Sequence, residues 1–295
     1  MAIELSDPAP RSVRGVGNGL AEGVAGLALI AAPLMLLFAL VLIPTMYMVA
    51  GTFRVGADGT SFGLDRYAAF FADDYSVENL SFTVILTLIS TVSVLILSLG
   101  IALYLRFSTG RIATMVQALS LFPLFVPGII ISYAMVRFLG PNGLLQLLLE
   151  QVGITGYRTP YLTPVGPYIA FVWENLPLPV LVLTAGLSQV SDHAVEAARD
   201  LGAGAWRILT EILFPQLTRS MVIAFALVFL GIVGSYTIPY LLGPPAPEMM
   251  GVYIARTLGN LQRPDEAAVQ SVLLLLVASV VGVIYIITMA RGSRA

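Results

Sequence analysis

Val195-Glu196-Ala197-Ala198-Arg199-Asp200-Leu201-Gly202-Ala203, followed by Trp206-Arg207-Ile208-Leu209 and closed by Phe214-Pro215, is a polar break set between two long apolar segments. It carries a helical pattern of its own. Ser191 or Asp192 is placed to cap a first helix by accepting a backbone N–H bond. Ala194, Ala197, Ala198 and Leu201 follow at three- and four-residue steps, which bring side chains onto one face. Gly202 ends that helix at little cost because glycine tolerates positive φ. Ile208, Leu209, Ile212 and Leu213 give a second amphipathic stretch before Pro215 starts a new element. The expectation is a short helix, a sharp bend and another short helix, held at a membrane surface like a docking knob.

The surroundings of this stretch make it a membrane protein. The 295 residues are 58% hydrophobic and only 11% charged, where soluble domains carry about a quarter charged residues. Mean hydropathy is +0.90, and several apolar runs are long enough to cross a bilayer. There is no cysteine, so disulfide and thiolate chemistry are excluded. His193 is the single histidine, which excludes a histidine metal cluster. All fifteen basic residues are arginine. Without lysine there is no Walker A loop and no Schiff base, so ATP could drive this chain only through another polypeptide.

The expected fold is all-α, a polytopic bundle of six transmembrane helices. Residues 1–22 form an N-terminal tail, 23–290 the membrane domain and 291–295 a short closing tail. The spans are expected at 23–53, 79–105, 112–139, 165–187, 215–242 and 267–290. Ser81, Thr83, Thr87, Ser90, Thr91, Ser93 and Ser98 suit the second span to close helix packing. Pro123 and Pro127 lie inside the third. Residues 144–152 are apolar but too short to span, and 248–262 should form an external surface helix. Placing the termini inside puts nine arginines on inner segments against six outside, on shorter inner loops. The positive-inside rule therefore assigns both termini and the loop at 188–214 to the cytoplasm.

The pattern Glu196-Ala197-Ala198, Gly202 and Phe214-Pro215 resembles the cytoplasmic loop of the permease subunits of bacterial ABC importers, the binding-protein-dependent transport systems. Asp200-Leu201-Gly202-Ala203 is more similar to the spermidine/putrescine branch than to the sugar branch. Phe122-Pro123-Leu124-Phe125-Val126-Pro127-Gly128, the turn Gly140-Pro141-Asn142-Gly143, and Gly234-Ser235-Tyr236-Thr237-Ile238-Pro239-Tyr240 resemble further segments of the same permeases. The resemblance implies a type I importer in the bacterial inner membrane. Its parts would be this chain, a second, distinct permease, two ATPase subunits and an external binding protein. It implies no cofactor in this chain, with ATP and Mg on the partner ATPase, contact with membrane lipid, and no nucleic acid. The solute would be a polyamine or similar small molecule, a sugar being the alternative.

By the same resemblance, Glu196, Ala197, Ala198, Arg199, Asp200, Gly202 and Arg207 meet the ATPase. Glu196 is the expected coupling residue; its alternative roles are an ion pair within the chain, with Arg199 or Arg207, or a simple solvated face. Glu174 lies some 20 Å up its helix from the loop at 1.5 Å per residue. A carboxylate at that depth faces a cavity or a partner by default, so it would be a path residue for a cationic solute. Its alternative is a helix end at the outer interface, with Trp173 in the aromatic belt. Trp173, Asn175, Tyr133, Ser235, Tyr236 and Tyr240 are further path candidates. A stand-alone secondary transporter would need coupling acids deep in the membrane, and Glu174 is the only acid in any expected span. A membrane enzyme would need a reactive pair that the spans lack.

Overall fold

The computed structural model describes residues 29–55 and 61–292, with the side chains of 291 and 292 left aside; the tails expected at 1–22 and 291–295 fall outside this range, apart from the helical backbone at 291 and 292. Among the described residues the regular structure is helical, apart from a two-residue antiparallel pair that joins β1 (Arg54–Val55) to β2 (Ser61–Phe62). Among the described residues, five helical segments are long and apolar enough to cross a membrane, and a bent pair of shorter helices brings the number to six.

Helix α1 (Leu29–Thr52) precedes the hairpin and packs mainly against the last helix. After α2 (Asp65–Ala72) comes α3 (Asp74–Phe107), the longest element. Asp73 caps α3, its carboxylate accepting from the Ser76 amide at 3.1 Å and from the Ser76 hydroxyl at 2.5 Å. One face of α3 buries Ser76, Asn79, Thr83, Thr87, Ser90, Val94, Ser98 and Ala102 at three- and four-residue steps. Small side chains on that stripe let neighbouring backbones approach closely. The stripe faces the centre of the bundle, where α3 meets the fourth and fifth spans. Ser81, expected to pack, points outward, and Ser93 accepts from the Tyr168 hydroxyl at 3.0 Å.

The expected third span is divided. Helix α4 (Arg111–Leu121) runs into a 3₁₀ turn at Phe122–Phe125, and α5 (Gly128–Leu139) starts afresh. Pro127 is the cause: Val126 before it is extended, as residues preceding proline prefer, and the helix cannot run through. Helix α6 (Leu144–Gln151) follows the turn at 140–143, and α5 with α6 forms a segment of spanning length. The fourth span is also broken. Helices α7 (Val165–Glu174) and α8 (Pro177–Leu187) meet at a 45° bend, with Pro177 at the start of α8, where its missing N–H is harmless.

Helix α9 (Asp192–Asp200) is the expected loop helix. The second loop helix is not separate. Helix α10 (Ala205–Val233) runs unbroken from the loop into the membrane segment, through a π-turn at Leu209–Leu213. That wide turn takes up the register disturbed by Pro215, so the proline starts nothing new. The fifth span accordingly ends at Val233 rather than 242; α11 (Thr237–Leu242) is a short helix beyond it. Helix α12 (Met250–Gly259) buries Met250, Tyr253 and Thr257 and so packs into the bundle rather than lying on its surface. Helix α13 (Pro264–Gly292) closes the fold against α10, α12 and α1.

Candidate coupling loop and permeation path

The loop between α8 and α10 has an inner and an outer side. Val195 and Ile208 are buried together with Leu187, Val190, Leu213 and Leu217, and with Ala102 from α3. Ala198 and Ala203 pack on the edge of this cluster. The outer side exposes Ala194, Glu196, Ala197, Arg199, Asp200 and Arg207. The face expected from Ala194, Ala197, Ala198 and Leu201 is therefore largely turned outward, and Val195 is the anchor. Leu201 is 89% exposed and Trp206 75%. Large apolar side chains exposed beside charged ones at a polar break mark a contact surface; these two residues were not among the expected contacts, although an unpaired apolar residue on each side of Gly202 is a visible signal.

Gly202 has φ +83°, and a Cβ there would meet nothing within 4 Å. Its requirement is conformational, set by the left-handed turn that redirects the chain. Ser191 occupies the cap position of α9 without a side-chain cap bond. Asp192 pairs instead with Arg106 at the end of α3.

Neither arginine offered as an internal partner holds Glu196. Arg207 pairs with Glu211 at 2.9 Å, and Arg199 lies 5.8 Å from the centre of the Phe107 ring. The imidazole of His193 lies 3.9 Å from the Glu196 carboxylate and is itself 96% exposed. The Glu196 carboxylate thus stands open on the outer side of the loop.

The expected path residues do not gather in one lining. Glu174 and Asn175 sit at the 45° bend between α7 and α8, in the middle of the bent pair rather than at its outer end. The 3₁₀ turn of the other broken segment packs against both α7 and α8, so the two breaks lie side by side. A cavity of about 70 Å³ opens between them, lined by Leu124, Glu174, Asn175, Pro177, Leu227 and Val228 among others. The Oε1 of Glu174 comes within 2.9 Å of the place a Cβ on Gly128 would occupy, at the first residue of α5. The unsatisfied N–H groups of a helix N-terminus favour negative charge there. Asn175 donates to the Phe171 carbonyl at 3.0 Å and turns its oxygen toward Gly231 of α10. Gly128 was not an expected site residue; its position directly after Pro127 was the available signal.

Tyr236 and Tyr240 lie elsewhere, stacked at 5.1 Å with a 20° tilt, on a cleft of about 450 Å³ at the end of the bundle away from the loop. Ser235 is half-buried just before them. The floor of that cleft holds Glu248, whose carboxylate pairs with Arg256 and accepts from the Tyr75 hydroxyl at 2.9 Å. Arg256 also lies 5.5 Å from the ring centres of Tyr75 and Tyr253. Trp173 packs edge-on against Phe122 at 6.4 Å beside an apolar groove. Tyr133 is 58% exposed, roughly 140° around α5 from Gly128 by helix geometry.

The chain is 28% identical over 245 residues to the spermidine/putrescine transport system permease protein PotB of Salmonella typhimurium, covering 81% of this chain and 85% of that one. It is 29% identical over 220 residues to the trehalose transport system permease protein SugA of Mycobacterium tuberculosis, covering 70% and 69%. Its fold matches a chain in the crystal structure of a bacterial alginate ABC transporter in complex with an alginate pentasaccharide-bound periplasmic protein. The TM-score there is 0.76 at 18% identity, covering 92% of this chain and 95% of the other. The family model for the binding-protein-dependent transport system inner membrane component matches residues 95–291, which take in both broken spans, the loop and α10 to α13. The chain belongs to that family and is a membrane-spanning permease of the ABC importer class.

Proposed function

We propose that this chain is one of two permease subunits in an importer powered by a separate ATPase pair, with its loop at 188–214 in the cytoplasm and its solute delivered by an external binding protein. ATP and Mg act on the ATPase, and this chain contributes no catalytic group. The observation that carries the reading is the two-sided loop. Val195 and Ile208 fix it in the bundle, while Glu196, Ala197, Leu201 and Trp206 are presented outward. In this arrangement Glu196 meets a basic side chain of the ATPase. Ala197 lets the two surfaces approach closely, and closure of the ATPase dimer moves the helices continuous with the loop.

For the solute we propose a small cation of the polyamine class. Glu174 supports this: a carboxylate within a spanning pair, between two broken segments, is costly unless it serves a cavity or a partner. Similarity to spermidine/putrescine permeases points the same way. A second reading, a sugar, is favoured by the stacked Tyr236–Tyr240 platform and by similarity to the trehalose permease. The test is competition uptake in cells carrying the complete transporter, with labelled spermidine against unlabelled putrescine and trehalose. Competition by putrescine alone supports the cation; competition by trehalose alone replaces it with the sugar.

A further inference from the structure

Helix α9 is joined to its neighbours by two short connectors, residues 188–191 and 201–204, the second containing Gly202 and Gly204. A lever hung on two such connectors would lose motion in them. A third attachment exists, and it comes from α3, 86 residues back in the chain. Arg106 donates to the Val190 carbonyl at 3.1 Å and pairs through the same nitrogen with Asp192 at the start of α9. The next residue, Phe107, lies under the Arg199 guanidinium at 5.8 Å, one helix length further along α9. Beneath these polar contacts Ala102, with Leu99 and Leu103 beside it, packs in the cluster that buries Val195. The cap expected at Ser191 or Asp192 is not made by a side chain, and Asp192 is committed to α3 instead.

We propose that Arg106 is a positioning residue that locks the docking helix α9 to the inner end of α3, so that the loop and α3 move as one body when the ATPase closes. This rests on the ATPase-docking reading of the loop. It adds that α3 receives the motion directly, and not only through α8 and α10. A partly exposed ion pair adds little to folding stability, so its loss should change the set of the loop far more than the melting of the chain. Both contacts are made by one terminal nitrogen of the guanidinium, so a single charged donor group on a long side chain reaches the carbonyl and the carboxylate together.

The absence of cysteine allows clean double labelling. Spin labels at Tyr104→Cys and Ala194→Cys report the α3–α9 distance by pulsed electron resonance. They would be read in the purified chain and in the complete transporter, nucleotide-free and trapped with ADP and vanadate. The expected result is one narrow distance that stays the same in both nucleotide states. Asp192→Asn and Arg106→Gln should each broaden it and abolish the coupling of hydrolysis to the binding protein, with the melting temperature little changed. Arg106→Lys should retain most of the narrow distance. A wild-type distance that shifts between nucleotide states overturns the proposal, as does a distance left narrow by both Asp192→Asn and Arg106→Gln. If no ATPase co-purifies with the wild-type chain, the docking reading itself falls and the lever with it, a result distinct from a failed lock.

Discussion

Glu174 occupies the space that a side chain on Gly128 would need: its Oε1 stands 2.9 Å from the Cβ position of residue 128. The two residues belong to different broken segments, so this contact ties one break to the other. Gly128→Ala should push the carboxylate away from the α5 N-terminus. Overpacking of this kind costs about 1–3 kcal/mol, and uptake should fall with it. Glu174→Asp, one methylene shorter, should restore part of the loss in the Gly128→Ala background. Uptake assays of the single and double variants check this; additive losses would mean that the two residues act independently.

Removing only the charge at the same position separates solute classes. Glu174→Gln keeps the shape and removes a charge that is costly inside a bundle. Stability in detergent should hold or rise slightly, while uptake of a labelled polyamine falls at least about tenfold, equivalent to roughly 1.4 kcal/mol of lost interaction. Unchanged polyamine uptake would remove Glu174 from the path.

Gly202 is a conformational requirement without a steric one. With φ at +83° and open space around it, a β-branched residue should strain the turn by about 1–2 kcal/mol. Asparagine tolerates the left-handed region and should cost less. Gly202→Val should therefore weaken retention of the ATPase on purification more than Gly202→Asn does. Equal retention would show that the turn does not set the loop.

At the opposite end, Glu248 is 6% exposed and fastens α3 to α12 through Tyr75, Arg256 and its own amide, which donates to Asn79 at 2.8 Å. Breaking a fully buried pair costs about 3–5 kcal/mol. Arg256 is partly exposed and keeps its two aromatic faces, so Glu248→Gln should cost less, about 1–3 kcal/mol. Thermal unfolding of the purified chain measures it, and no loss of stability would contradict the ion-pair account.

Most of the bundle was legible because hydropathy sets span length and Gly or Pro marks the turns. The loop was legible for the same local reasons: Gly202 does take positive φ, and Ile208 and Leu213 do pack. What escaped depends on long-range or compensating structure. Pro215 reads as a helix start, yet a π-turn just before it lets α10 continue. Pro127 was visible, but not that its break would lie beside the bend at Asn175, since that needs two segments about fifty residues apart to pack. Tyr236 falls within the span expected at 215–242, yet that span ends at Val233 and the tyrosine lies on the far cleft. Leu201 fell on the expected helical face, but only the burial of Val195 shows which way that face points.

The most direct test of the account is the ATPase activity of the complete transporter purified from its host, with and without its binding protein, for the wild type and for Glu196→Ala. Glu196 has no arginine partner within the described residues. The account predicts that an ATPase and a second permease co-purify with the wild type. It also predicts that Glu196→Ala leaves the chain folded while hydrolysis no longer responds to the binding protein. A chain that purifies without an ATPase, or a Glu196→Ala complex stimulated as strongly as the wild type, would contradict it.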